Sequence, residues 1–146
     1  MSTPTAPSAA RIPFIEWAVV AISLALLAWS IAGLIANPDF ATGDQAAAKQ
    51  VLFVDFNGWH ALSGIALVAP GLLAGRRANW SLLFAVAAAA ALAASGVWAL
   101  FDTNPAGVLV FPNNQADALL HFAFAVLYGS VAALHLRAVE RHPRWG

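Results

Sequence analysis

Four long apolar runs separated by short polar stretches make up most of this chain. The first extends from Phe14 to Ala36 and is interrupted only by Glu16, Ser23 and Ser30. At about 1.5 Å per residue, a helix of that length covers the roughly 30 Å hydrocarbon core of a bilayer. The run therefore predicts a transmembrane helix, stopped by Asn37 and Pro38. The second run extends from about Asp55 to Ala74 and ends at Gly75, Arg76 and Arg77. Pro70 and Gly71 inside it predict a kink, which membrane helices accommodate when neighbours satisfy the freed carbonyls. The third, residues 79–100, is nearly all Ala, Leu and Val and stops at Asp102 to Pro105; the fourth covers about 115–136. Between the first two runs Asp44 is placed to cap a short interfacial helix through Ala46, Lys49 and Val51. Between the last two, Val108 to Phe111 forms an apolar piece expected to dip into the interface. Residues 1–13 lack periodicity and predict a disordered tail, and residues 138–146 a second, cytoplasmic one. The pattern thus predicts an all-α membrane protein, a four-transmembrane-helix bundle in one domain, residues 14–137.

The runs also repeat. Each pair is an apolar helix ended by Asn-Pro, a loop, a polar helix mouth with a histidine and an arginine-bearing exit. Two-helix units preserve direction, so the bundle is expected to consist of two parallel repeats related by an axis along the membrane normal. Small or polar residues recur every seven positions: Glu16, Ser23, Ser30 and Asn37; Asn57, Gly64 and Gly71; Ser81, Ala88, Ser95 and Asp102; Asn114, His121, Tyr128 and His135. That spacing keeps one face toward a partner in a left-handed bundle, and membrane helices prefer small residues at their contacts. Gly64, Gly71, Ser95 and Tyr128 are the expected packing positions, whereas Leu82, Leu83 and Leu92 face lipid or fill gaps.

Charge orients the bundle. Arg11, Arg76, Arg77, Arg137, Arg141 and Arg144 fall on one side of four alternating helices, and the other side holds Asp39, Asp44, Asp55 and Asp102 against Lys49 alone. The positive-inside rule makes the arginine side, with both termini, cytoplasmic in a multi-pass bacterial plasma-membrane protein. A composition 61% hydrophobic and 10% charged fits lipid as the main partner, with other membrane subunits or copies of the chain as further ones. A net charge of zero and no basic face exclude a nucleic-acid partner. The absence of cysteine excludes disulfides, thiol catalysis and thiolate metal sites.

Candidate chemistry sits at two helix mouths. Asn57 and His60 open the second run, and Asn114, Asp117 and His121 open the fourth. Buried polar side chains are costly in lipid, so these five form a candidate polar site. Equal placement after each helix start predicts that His60 and His121 lie at one depth and meet across the axis, because the second and fourth helices of an up-down bundle are diagonal neighbours. Asn114 and Asp117 also suit an N-cap and a first-turn carboxylate. Asp117 stands one turn before His121, whereas His60 has only neutral Asn57 in its own turn. Zinc takes three or four protein ligands, and two histidines with Asp117 or Asn57 behind them fall short, so neither a metal nor a cofactor is expected. A haem held by two histidines is a lesser alternative; Ala74 stands where the partner of His135 would be needed for a second. No nucleophile, base and orienter occur together, so an enzyme is not expected and no catalytic residue is assigned.

These mouths resemble those of an uncharacterised family of small bacterial membrane proteins, the domain of unknown function 4383 family. Asn57 and His60 match its first motif, with Gly64 at the following glycine; Asn114, Ala116, Asp117, Leu120 and His121 match its second. Ala118 and Ala125 stand where the family carries Asn and Gly. The resemblance covers Trp17 to Arg137 and implies a four-span fold, with no activity to carry over. The expected function is a structural, scaffolding or accessory subunit of a membrane complex. The alternative is a small oligomeric transporter or ligand-binding protein with a polar site at the outer mouth.

Overall fold

A computed structural model describes residues 14–42, 48–101, 111–112 and 114–141 of the protein. Four helices carry the fold: α1 (Phe14–Ala36), α2 (Gly58–Ala74), α3 (Ala78–Ala99) and α4 (Gln115–Arg141). Helices α1, α3 and α4 are long and apolar enough to cross a bilayer. Helix α2 has 17 residues, about 25 Å of rise, and is shorter than the expected 55–74. It continues through Pro70, and α4 runs a turn beyond the expected 136, to Arg141.

The missing start of α2 is a strand. Lys49–Val51 (β1) and Val54–Phe56 (β2) form an antiparallel hairpin in register Lys49 with Phe56 and Val51 with Val54. An interfacial helix through Lys49 and Val51 was the expectation. Alternation explains the difference: Val54 and Phe56 are β-branched and aromatic, both turn inward, and both are buried against Ala61 and Trp29. Asp44 and Ala46, the rest of that expected helix, lie outside the described residues, as do both tails beyond α1 and α4 and most of Val108 to Phe111. The hairpin turns through Leu52, at φ 57°, a left-handed conformation that disfavours a side chain. Because Leu52 is largely exposed, Leu52→Gly should raise the thermal midpoint in detergent by the equivalent of up to about 1 kcal/mol. A lowered midpoint would mean that the Leu52 side chain itself contributes to stability.

Helix α1 packs mainly on α2 and α3 mainly on α4, with thinner α1–α4, α2–α3 and α1–α3 contacts joining the two pairs. The α1–α2 contact follows the seven-residue spacing. A Cβ on Gly64 would collide with Ser30 Oγ, and one on Gly71 with Ser23 Oγ and the Phe84 ring. Two successive serines of α1 thus seat against two successive glycines of the antiparallel α2. Ser23 Oγ is also hydrogen-bonded to Tyr128 OH at 2.8 Å, which ties α1 to α4 through the buried core. Ser81 Oγ donates to the Ala74 carbonyl, closing the α2–α3 turn. Leu92 is buried in the core and Leu83 faces outward, the two places expected of leucines that fill gaps or face lipid. One expected position differs: Ser95, expected at a helix contact, lines a partly open cavity.

Candidate functional site

The site begins with two helix caps. Asn57 Oδ1 accepts from the His60 backbone N–H at 2.9 Å, and Asn114 Oδ1 accepts from the Asp117 N–H at 2.9 Å. Each asparagine satisfies one of the donors that a helix start leaves unpaired. Asn114 also donates through Nδ2 to the Phe53 carbonyl, fastening the start of α4 to the hairpin. These caps fix register: His60 is the third residue of α2 and Asp117 the third of α4, so His121 lies a turn further along its helix. The equal placement after the helix starts expected of the two histidines therefore does not hold; in register, Asp117 is the counterpart of His60.

The side chains nevertheless converge. Asp117 is almost fully buried, and its carboxylate stands between the imidazoles, with Oδ1 3.7 Å from His60 Nε2 and Oδ2 3.5 Å from His121 Nδ1. The His60 and His121 rings lie parallel within 17°, their centroids 6.2 Å apart, and Phe56 stacks on the far face of His60 at 4.7 Å. Thus Asp117, in sequence a neighbour of His121 alone, serves both rings. The carboxylate does so because residues i and i+4 share a helix face and α2 presents His60 to that face.

His60 is oriented from behind. Its Nδ1 lies 2.9 Å from the Asp55 carbonyl oxygen, which can only accept, so Nδ1 carries a proton and Nε2 is turned toward Asp117. By contrast, Asp117 Oδ2 and His121 Nδ1 are buried without a hydrogen bond, and both pair distances exceed the roughly 2.7–3.2 Å of an N–H···O bond. The cluster opens onto a cavity of about 260 Å³ to which all four helices contribute. Ser30, Ser63, Gly64 and Ser95 line it, as does Trp29, whose indole N–H has no partner among the described residues.

The five predicted site residues are therefore gathered at one end of the helices, Asn57 and Asn114 as caps and the other three as the convergent cluster. Missing from the sequence reading were the hairpin residues behind the site, Asp55 and Phe56. The alternation of Val54 and Phe56 was their available signal.

Four packed helices around a buried polar cluster, three of them long enough to cross a bilayer, define a helical membrane protein. The chain matches the family described as a domain of unknown function (DUF4383) over residues 16–134, and it belongs to that family. No curated protein and no solved structure matches it.

Proposed function

We propose that this protein is a multi-pass plasma-membrane protein that binds a small polar ligand inside its helices, at His60, Asp117 and His121. The observation that carries the proposal is the convergence of these three side chains on a cavity without mutual hydrogen bonds. Burying a carboxylate costs several kcal/mol unless it is paired and hydrogen-bonded, so an under-satisfied one suits a group that a ligand completes. A purely internal role, in which the three polar side chains only tie helices together, is poorly served by separations of 3.5 and 3.7 Å. Binding, rather than catalysis, is the role assigned.

In this reading α2 makes the fourth crossing, its short length extended by the hairpin, and the two-helix pairs are repeats with Asn57 and Asn114 as matching caps. The arginines at Arg76, Arg77, Arg137 and Arg141 put the opposite, hairpin-bearing end outside. An impermeant thiol reagent should label a cysteine at Ala47 in intact cells and spare one at Ser8; the reverse pattern inverts the topology.

Ligand binding itself is tested by thermal unfolding of the purified protein against panels of divalent cations, small amines and small carboxylic acids. At least one class should raise the wild-type midpoint and leave that of Asp117→Leu unchanged, since a ligand at about 100 times its Kd adds about 2.7 kcal/mol. No shift with any class, together with a lower intrinsic midpoint for Asp117→Leu, would return the cluster to a purely structural role.

A further inference from the structure

We infer that the ligand of this site is a divalent first-row transition-metal ion, held by His60 Nε2, the Asp117 carboxylate and His121 Nδ1. The inference rests on the ligand-site reading above and gives it a chemical identity.

Three observations converge on a cation. First, one ligand atom from each of the three residues lies within 4.8 Å of the others. At metal–ligand bonds of about 2.0–2.1 Å, neighbouring ligands of a tetrahedral ion are separated by about 3.4 Å. The observed 3.7 Å to Asp117 Oδ1 and 3.5 Å to Asp117 Oδ2 are too long for hydrogen bonds and close to that edge, with one carboxylate oxygen facing each imidazole. Second, the electron pairs face one another. With its proton fixed on Nδ1 by the Asp55 carbonyl, a neutral His60 turns the lone pair of Nε2 to a carboxylate oxygen, and at 3.7 Å the two acceptors stand farther apart than a shared proton spans and leave room for a metal ion between them. Third, the support behind the ligands has the form that metal sites use. A ligating histidine generally donates its second N–H to a carbonyl or carboxylate, which fixes the ring and its tautomer. His60 does this with Asp55, and Phe56 stacking holds the ring plane.

The donor set selects the class of ion. Two imidazoles and a carboxylate suit zinc, iron, cobalt, nickel or manganese, and the chain has no thiolate that would favour copper(I). Three protein ligands leave a coordination position facing the cavity, the arrangement of an open site rather than a closed structural one.

Cobalt(II) serves as the spectroscopic probe. Titrating the purified, chelator-treated full chain in mild detergent with Co2+ should produce visible d–d bands that saturate at one equivalent and vanish on addition of Zn2+. Asp117→Asn, His60→Gln and His121→Gln should each weaken Co2+ binding at least tenfold while circular dichroism stays helical. If these variants fail to fold, X-ray absorption on the wild-type cobalt protein still decides, because it should register two imidazoles. Absence of stoichiometric uptake, or uptake that survives all three substitutions, overturns the inference. Where metals fail and a small amine or carboxylic acid still raises the wild-type midpoint through Asp117, the ligand site stands and only its metal is lost. Where every class fails, both fall.

Discussion

Gly64→Leu should lower the thermal midpoint of the purified protein by the equivalent of about 1–3 kcal/mol, the usual result of forcing side-chain volume into a closed contact. The position has no slack. A Cβ there already meets Ser30 Oγ, and Ser30 is buried on a helix held again one spacing away by Ser23 against Gly71. Because α1 touches α2 along both steps, a leucine at Gly64 pushes the helices apart and loosens the second step as well. A compensating pair gives the sharper readout: Gly64→Ala combined with Ser30→Gly should recover most of what Gly64→Ala loses, since neighbours in contact do not behave additively. An unchanged midpoint for Gly64→Leu in detergent would remove the serine–glycine seam from this fold.

The second large effect has the opposite sign. Asp117→Leu combined with His121→Leu should raise the midpoint, by the equivalent of up to about 1–4 kcal/mol, because apolar residues that replace a buried ionisable pair escape its desolvation penalty. The same protein should bind neither Co2+ nor any other ligand of the cavity. His60 keeps its Nδ1 hydrogen bond to Asp55 in this variant, so the fold retains the link between α2 and the hairpin. Greater stability with lost binding is the signature of a site maintained for its ligand. A lower midpoint would instead assign the cluster to holding helices together.

What the sequence disclosed, and what it withheld, follows from the range of the forces involved. Helices α1 and α3 were legible to within about a residue, because a long apolar run ended by Asn37 or by the turn at Leu100 leaves little choice. The cap at Asn114 was legible for the same local reason, since it acts on an N–H three residues away; the matching cap at Asn57 was not, because the second helix was expected to begin before it. Nor was the hairpin. Residues 49–56 carry two three-residue strands whose inward positions depend on Trp29 and Ala61, which belong to other elements. That error placed the start of α2 at Asp55 instead of Gly58 and hid the carbonyl that orients His60. Likewise, the seven-residue spacing located Gly64 and Gly71 correctly against Ser30 and Ser23, yet it could not distinguish a helix contact from a cavity wall at Ser95. Asp117 was found but given half its role, since its approach to His60 joins residues far apart in the chain.

That separation matters during biosynthesis. His60 belongs to the first helical pair, whereas Asp117 and His121 are made only with the last helix, whose Asn114 clasps the hairpin at Phe53. An insertion intermediate halted after α3 would hold the serine–glycine seam complete and expose a lone imidazole to lipid. The final helix thus supplies two of the three clustered side chains and, through Asn114, its own fastening to the hairpin, so the site is complete only when the whole chain is in place.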